Sequence, residues 1–212
     1  MDNYETTGFI IVEKNRTPIY GLNLNYVNRL NDEIDFIIFG EGTYKKESDS
    51  FVFDSQGNTM ENNNESLKSY VLGGRLNIQF PYFRKFDSLI IIFECYYNDE
   101  NWNNSNFKNF LKQDQEFLAK NIDQYKIFKN SKYYLFGSLI FFNAFIEDLK
   151  LISSFISNVD DNSYVIIPKI EYNFSDDLLF GIRGLFLYGE PYTEFGSAFL
   201  SNEVSSYIKF NF

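Results

Sequence analysis

Apolar and polar residues alternate with period two along most of this chain. In Ile19 to Val27, Tyr20, Leu22, Leu24 and Tyr26 fall on one side and Gly21, Asn23 and Asn25 on the other, the spacing of a strand whose successive side chains point to opposite faces. Ser69 to Phe80 sets Tyr70, Leu72, Gly74, Leu76, Ile78 and Phe80 against Gly73, Arg75, Asn77 and Gln79. In Ser88 to Tyr97, Leu89, Ile91, Phe93 and Cys95 oppose Glu94, and in Tyr164 to Phe174 the apolar positions oppose Lys169, Glu171 and Asn173. The last nine residues place Val204, Ser206, Ile208, Phe210 and Phe212 on one face and Ser205, Tyr207, Lys209 and Asn211 on the other. Less regular runs at Thr7 to Glu13, Ile34 to Tyr44, Lys132 to Asn143, Asp148 to Ser157 and Leu178 to Tyr188 bring the expectation to about ten strands. Pro168 has no N–H to give to a ladder, so it predicts an edge strand or a bulge.

One segment breaks the rhythm. Phe107, Phe110, Leu111, Phe117, Leu118, Ile122 and Tyr125 recur at helical spacing and predict an amphipathic helix over Lys108 to Gln124, within a long connection from Asn98 to Asn130. Such a helix either packs on the rim or into the mouth of the sheet, or lies on a membrane or partner. Lys108, Lys112 and Lys120 are too few to make the lipid-surface case. Lys45 to Glu65, rich in Asn, Ser and Gly, predicts a long solvated loop.

The parity of the connections adds a second signal. Numbered alternately, Lys14 to Pro18, Lys45 to Glu65, Asn98 to Asn130, Val159 to Ser163 and Gly189 to Glu203 fall at one end. Asn28 to Glu33, Pro81 to Asp87, Ala144 to Glu147 and Ser175 to Asp177 fall at the other. All the long connections share one end, as in outer-membrane barrels with long outer loops and short periplasmic turns.

Composition supports strands in a membrane more than helices. Aromatics are 20% of the chain, with 25 Phe and 16 Tyr, enough for girdles at two membrane interfaces. Mean hydropathy is only −0.29, and the richest window, Leu135 to Ile146, is broken by Gly137, Ser138 and Asn143. That is far short of the roughly 18 apolar residues of a spanning helix. A net charge of −10 with no basic cluster argues against nucleic acid. The single cysteine, Cys95, excludes an internal disulfide and a cysteine-rich zinc site, and is read as a small hydrophobe. With no histidine, the commonest proton-transfer partner and metal ligand is missing, so no enzyme, cofactor or metal is expected.

The closing segment Val204 to Phe212, with its terminal Phe, resembles the last strand of bacterial outer-membrane β-barrels, which in that family carries the signal for the barrel-assembly machinery. A wider pattern, Asn158-Val159-Asp160-Asp161-Asn162-Ser163-Tyr164 through Pro168, Tyr172 to Leu178, Gly189 and Thr193-Glu194-Phe195-Gly196, resembles outer-membrane porins of the broad alginate-export type. The resemblance implies an all-β, antiparallel, up-and-down transmembrane β-barrel occupying residues 1–212 as one domain. It implies residence in the outer membrane, against lipid and lipopolysaccharide, and a porin-like channel for small polar solutes or ions. The alternative is a non-conducting barrel that anchors surface loops for adhesion. Met1-Asp2-Asn3-Tyr4-Glu5 lacks the apolar core of an export signal, so the expectation is either a mature form or the C-terminal part of a longer barrel.

The alternation gathers Arg75, Glu94, Lys169, Glu171 and Arg183 on the inward face, with Lys150 and Lys209 beside them. In a water-filled pore such charges set ion selectivity. In a narrow ten-stranded barrel, Arg75 with Glu94 and Arg183 with Glu171 would instead pair across neighbouring strands and plug the interior. Asp160-Asp161-Asn162 and Asp99-Glu100-Asn101 carry hard oxygen ligands, but without a calcium-loop pattern they are read as solvated turns. Trp102, in the long connection, decides nothing alone.

Overall fold

Ten strands form one antiparallel sheet in strict chain order, each hydrogen-bonded to its neighbour in sequence. The structure, a computed structural model, describes residues 3–12, 18–46, 51–53, 56, 59–61, 66–81, 87–99, 131–196 and 201–210. The strands are β1 (Asn3–Ile11), β2 (Ile19–Arg29), β3 (Ile34–Lys45), β4 (Phe51–Phe53), β5 (Thr59–Glu61), β6 (Leu67–Gln79), β7 (Ser88–Asn98), β8 (Tyr133–Phe142), β9 (Leu149–Asn158), β10 (Ser163–Ser175), β11 (Leu178–Tyr188) and β12 (Glu203–Phe210). The segment read as a helix, Lys108 to Gln124, lies outside the described residues, as do the terminal Asn211 and Phe212.

Two expectations are corrected. Lys45 to Glu65 is more than a loop: β4 and β5 pair there as a separate two-stranded sheet. Their three residues apiece are too short for periodicity to register. The first strand begins at Asn3 rather than Thr7, because Tyr4, Glu5 and Thr6 pair with Tyr26, Asn25 and Leu24 of β2. Pairing with a regular neighbour extends a strand past the point where its own pattern is legible.

The ladders keep one register across the whole sheet, and this sorts the side chains onto two faces. One row, for example, runs from Gly42 through Tyr70 and Tyr97 to Tyr133. Another runs Ile37, Arg75, Ile92, Ser138, Ser154 and Ile167. The first face is mainly apolar, with Thr6, Asn28, Ser153, Ser157 and Ser206 the polar exceptions among the described residues, beside its one charge. Among the described residues of the ten strands it carries a single charge, Lys68. Its apolar side chains stand uncovered, including Leu22, Leu72, Phe93, Ile170, Val204 and Ile208.

Aromatic rings collect at both ends of that face. At the end with the long connections, Tyr70 stacks on Tyr97 at 5.7 Å, Tyr97 meets Tyr133 at 5.3 Å, and Tyr164 stacks on Tyr188 at 4.9 Å. At the end with the short turns, Tyr4 stacks on Tyr26 at 4.8 Å and Tyr172 meets Phe174 at 4.9 Å. The short turns are closed locally: the Asn31 side-chain oxygen accepts from the N–H of Glu33 at 2.9 Å and of Ile34 at 2.8 Å, the Asx arrangement that suits Asn between strands.

Pro168 lies in an interior strand, correcting the edge expectation. It pairs with Ser153 of β9, while toward β11 the ladder skips from Ile166–Phe186 to Lys169–Arg183 without changing register. Gly184 stands opposite, and a Cβ there would meet the Phe186 ring at 2.5 Å and the proline ring at 3.2 Å. The register shift in this hairpin falls instead between Asn173 and Ser175, beside the two-residue turn Asp176-Asp177.

Candidate functional site

The second face holds the chemistry. Arg75, Glu94, Lys169, Glu171 and Arg183 all lie on it, with Lys150 and Lys209. Three separate groupings emerge, and the expected pairs are absent from all of them. Among the described residues no ion pair joins Arg75 to Glu94 or Arg183 to Glu171.

Arg75 turns toward the short-turn end. Its Nε donates to Asn77 Oδ1 at 2.8 Å, and the Asn77 amide in turn donates to the Asp35 carboxylate. Glu171 gathers the cations of the neighbouring strands: Lys169 Nζ lies 2.7 Å from its Oε1 and Lys150 Nζ 3.7 Å from its Oε2, while the Tyr207 hydroxyl donates to Oε1 at 2.7 Å. Arg183 sits opposite Lys169 rather than Glu171, which faces Gly181. That glycine is required by contact, since a Cβ there would stand 2.2 Å from the Tyr207 ring. A directly opposed Gly–aromatic pair lets the ring fold across the neighbouring strand.

Glu94 is treated differently. It faces Gly73 on one side and Phe136 on the other. A Cβ on Gly73 would meet the Phe39 ring at 2.4 Å and Glu94 Cγ at 2.9 Å, so the missing side chain houses both. The carboxylate opens into a recess of about 290 Å³ lined by Val71, Glu94, Tyr96, Tyr134, Phe136 and Ile156.

The most buried polar grouping was not expected at all. At the long-loop end, Glu194 is fully buried, and its Oε2 accepts from the Tyr134 hydroxyl and from Asn158 Nδ2, each at 2.8 Å. The Glu194 N–H donates to Asp161 Oδ2 at 2.7 Å, and Asp161 Oδ1 accepts from the N–H and hydroxyl of Ser163 at 2.9 and 2.5 Å. Asn158 Oδ1 accepts from the N–H groups of Asp160 and Asp161 at 3.0 and 3.2 Å. Ser163 Oγ accepts from Phe195 N–H at 3.2 Å, and Asp160 accepts from Ser131 Oγ and the Lys132 N–H.

This network ties the segment after β11 to the rims of β8, β9 and β10. Within the turn Asp160-Asp161-Asn162, Asp160 and Asn162 are exposed as expected, but Asp161 is not solvated: it is 8% exposed and its carboxylate is occupied by N–H and O–H donors. Asn162 takes the left-handed conformation the turn needs, with φ of 56°, which Asn tolerates better than most residues. Sequence held one pointer to the network: the motif from Asn158 to Tyr164 and the motif Thr193 to Gly196, quoted for their resemblance, are the segments it joins. Neither motif says that they touch.

Among the described residues no group of His, Cys, Asp and Glu has the geometry of a metal site. Comparison with protein-family models, with curated proteins and with solved structures gives no match.

Proposed function

We propose that the chain is an outer-membrane β-barrel of porin-like character, passing small polar solutes or ions along its polar face. The observation that carries this reading is the sorting of the two faces. Ten strands in register put every strand charge but Lys68 on one side and a continuous uncovered apolar surface, with aromatic rows at both ends, on the other. Exposed apolar area of this extent marks a surface that meets protein or lipid, and two aromatic rows flanking an apolar band suit two lipid–water interfaces. Strands of 8 to 13 residues span the length a tilted transmembrane strand needs, roughly 9–11 residues. With an even number of strands, β1 and β12 run antiparallel, so they can pair and close the barrel.

In this reading the apolar face contacts outer-membrane lipid and lipopolysaccharide, and Val204 to Phe212 addresses the assembly machinery. Two measurements test it. The detergent-folded protein should migrate at different apparent mass before and after boiling; identical mobility with solubility in plain buffer overturns membrane residence. In planar bilayers it should conduct in steps; a folded protein that never conducts overturns the pore.

The braced rim supports a second reading, a non-conducting barrel that displays its long connections. A fully buried carboxylate network fastening the Gly189 to Gly196 segment fits a rigid platform. Deleting 98–130 or 45–65 should then abolish attachment to cells or lipopolysaccharide while folding is retained.

A further inference from the structure

The recess beside Glu94 combines three features that structural charges on this sheet do not share. First, its carboxylate has no hydrogen-bond or ionic partner among the described residues, whereas Glu171 and Glu194 each hold several. Second, the arginine on the adjacent strand is committed elsewhere: Arg75, two residue pairs along the ladder from Gly73–Glu94, donates to Asn77. Third, the walls are apolar and aromatic, with Tyr96, Tyr134 and Phe136 set around the acid and Val71 and Ile156 completing the lining. Removing a carboxylate from water without a partner is costly, so a fold that spends neither Arg75 nor a lysine on Glu94 leaves that charge for something that arrives.

We infer that this recess binds a small organic ammonium ion, the Glu94 carboxylate pairing with its charge and the rings of Tyr96, Tyr134 and Phe136 covering its alkyl surface. A bare metal cation would find one carboxylate and no further hard ligand here, while an alkylammonium satisfies both the charge and the apolar walls. Aromatic rings attract such cations through the negative faces of their π systems. At about 290 Å³ the recess sits at the small end of ligand pockets, near 300 Å³, which suits a compact ammonium and excludes a polyamine coiled within it. The site needs only the sheltered face of the sheet. If the barrel conducts, the recess becomes a station for organic cations on the lumen wall, and that extension rests on the pore reading.

The test is isothermal titration of the full, detergent-folded chain with choline and with its neutral isostere 3,3-dimethylbutan-1-ol. Saturable one-to-one binding of choline is expected, at least tenfold tighter than the alcohol, with no competition from sodium at equal concentration. Glu94→Gln keeps the shape and should weaken choline about tenfold or more, the range of a lost charged contact. Phe136→Leu should weaken choline and the alcohol together. The β-sheet circular dichroism spectrum of each variant establishes that it is folded. Equal affinity for choline and the alcohol, unchanged choline binding by folded Glu94→Gln, or no saturable binding at all each overturns the proposal. Choline binding by a protein that does not conduct retains the site and removes the pore, while conduction without binding does the reverse.

Discussion

Two carboxylates, Glu194 and Glu94, border Tyr134 and have opposite fates. Glu194 is wholly buried and accepts from Tyr134 and Asn158, while its backbone N–H reaches Asp161. Glu94 is half-buried, lined by the Tyr134 ring, and accepts from nothing among the described residues. The same tyrosine thus gives its hydroxyl to a structural network and its ring to an open recess. The contrast separates two uses of buried charge: a satisfied acid fastens chain segments together, and an unsatisfied one is held ready for a partner.

Mutations can break this contrast, beginning where the effect is largest. Glu194→Ala leaves the Tyr134 hydroxyl and the Asn158 amide without their shared acceptor, and should cost about 3–5 kcal/mol by analogy with a buried pair that loses one member. Urea unfolding of the detergent-folded protein measures it, and a cost below about 1 kcal/mol would mean the network is ornamental.

Tyr134→Phe comes next. It removes the hydroxyl that donates to Glu194 and accepts from the Ser131 N–H, and should cost about 1–3 kcal/mol while leaving choline affinity unchanged within twofold. Loss of both stability and binding would show that the rim and the recess are one site.

The smallest effect is expected at Glu94→Leu. An unpaired carboxylate gives way to apolar surface beside Phe136 and Val71, so stability should hold or rise by about 1 kcal/mol, with choline binding abolished. A marked loss of stability would assign Glu94 a structural role instead. Glu171 provides the internal control. Its lysines are about a third exposed, so Lys150→Met should change stability by less than about 1 kcal/mol.

Much of this is legible in the sequence. Alternation located all ten strands of the main sheet and grouped Arg75, Glu94, Lys169, Glu171 and Arg183 on a single face, as the ladders do, because side-chain direction in a strand is a local property with period two. Loop parity likewise followed, since strands in chain order must alternate their ends. The partners of those charges did not follow. Arg75 chose Asn77 two residues along its own strand over Glu94 across the ladder, and Glu171 chose Lys150 and Lys169 over Arg183. Diagonal and direct neighbours are equally consistent with the pattern, and side-chain reach decides between them.

The rim network was out of reach for a different reason. Tyr134 and Glu194 are 60 positions apart and Asn158 and Glu194 36, so no periodicity relates them. Asp160 and Asp161 read as turn residues because polar residues after a strand usually meet water. Here Asp161 is buried, and Ser163 together with the Glu194 N–H from the segment after β11 takes the place of that water.

By itself, then, the sequence determined the strand order, the two faces and the end at which long connections leave, all of which derive from the two-residue repeat and the chain's connectivity. Only the tertiary structure decided which acid is fastened and which stands open. That choice depends on donors brought together from β8, β9 and the segment after β11, and on the space over Gly73 that Phe39 and Glu94 share, neither of which is written in any one strand.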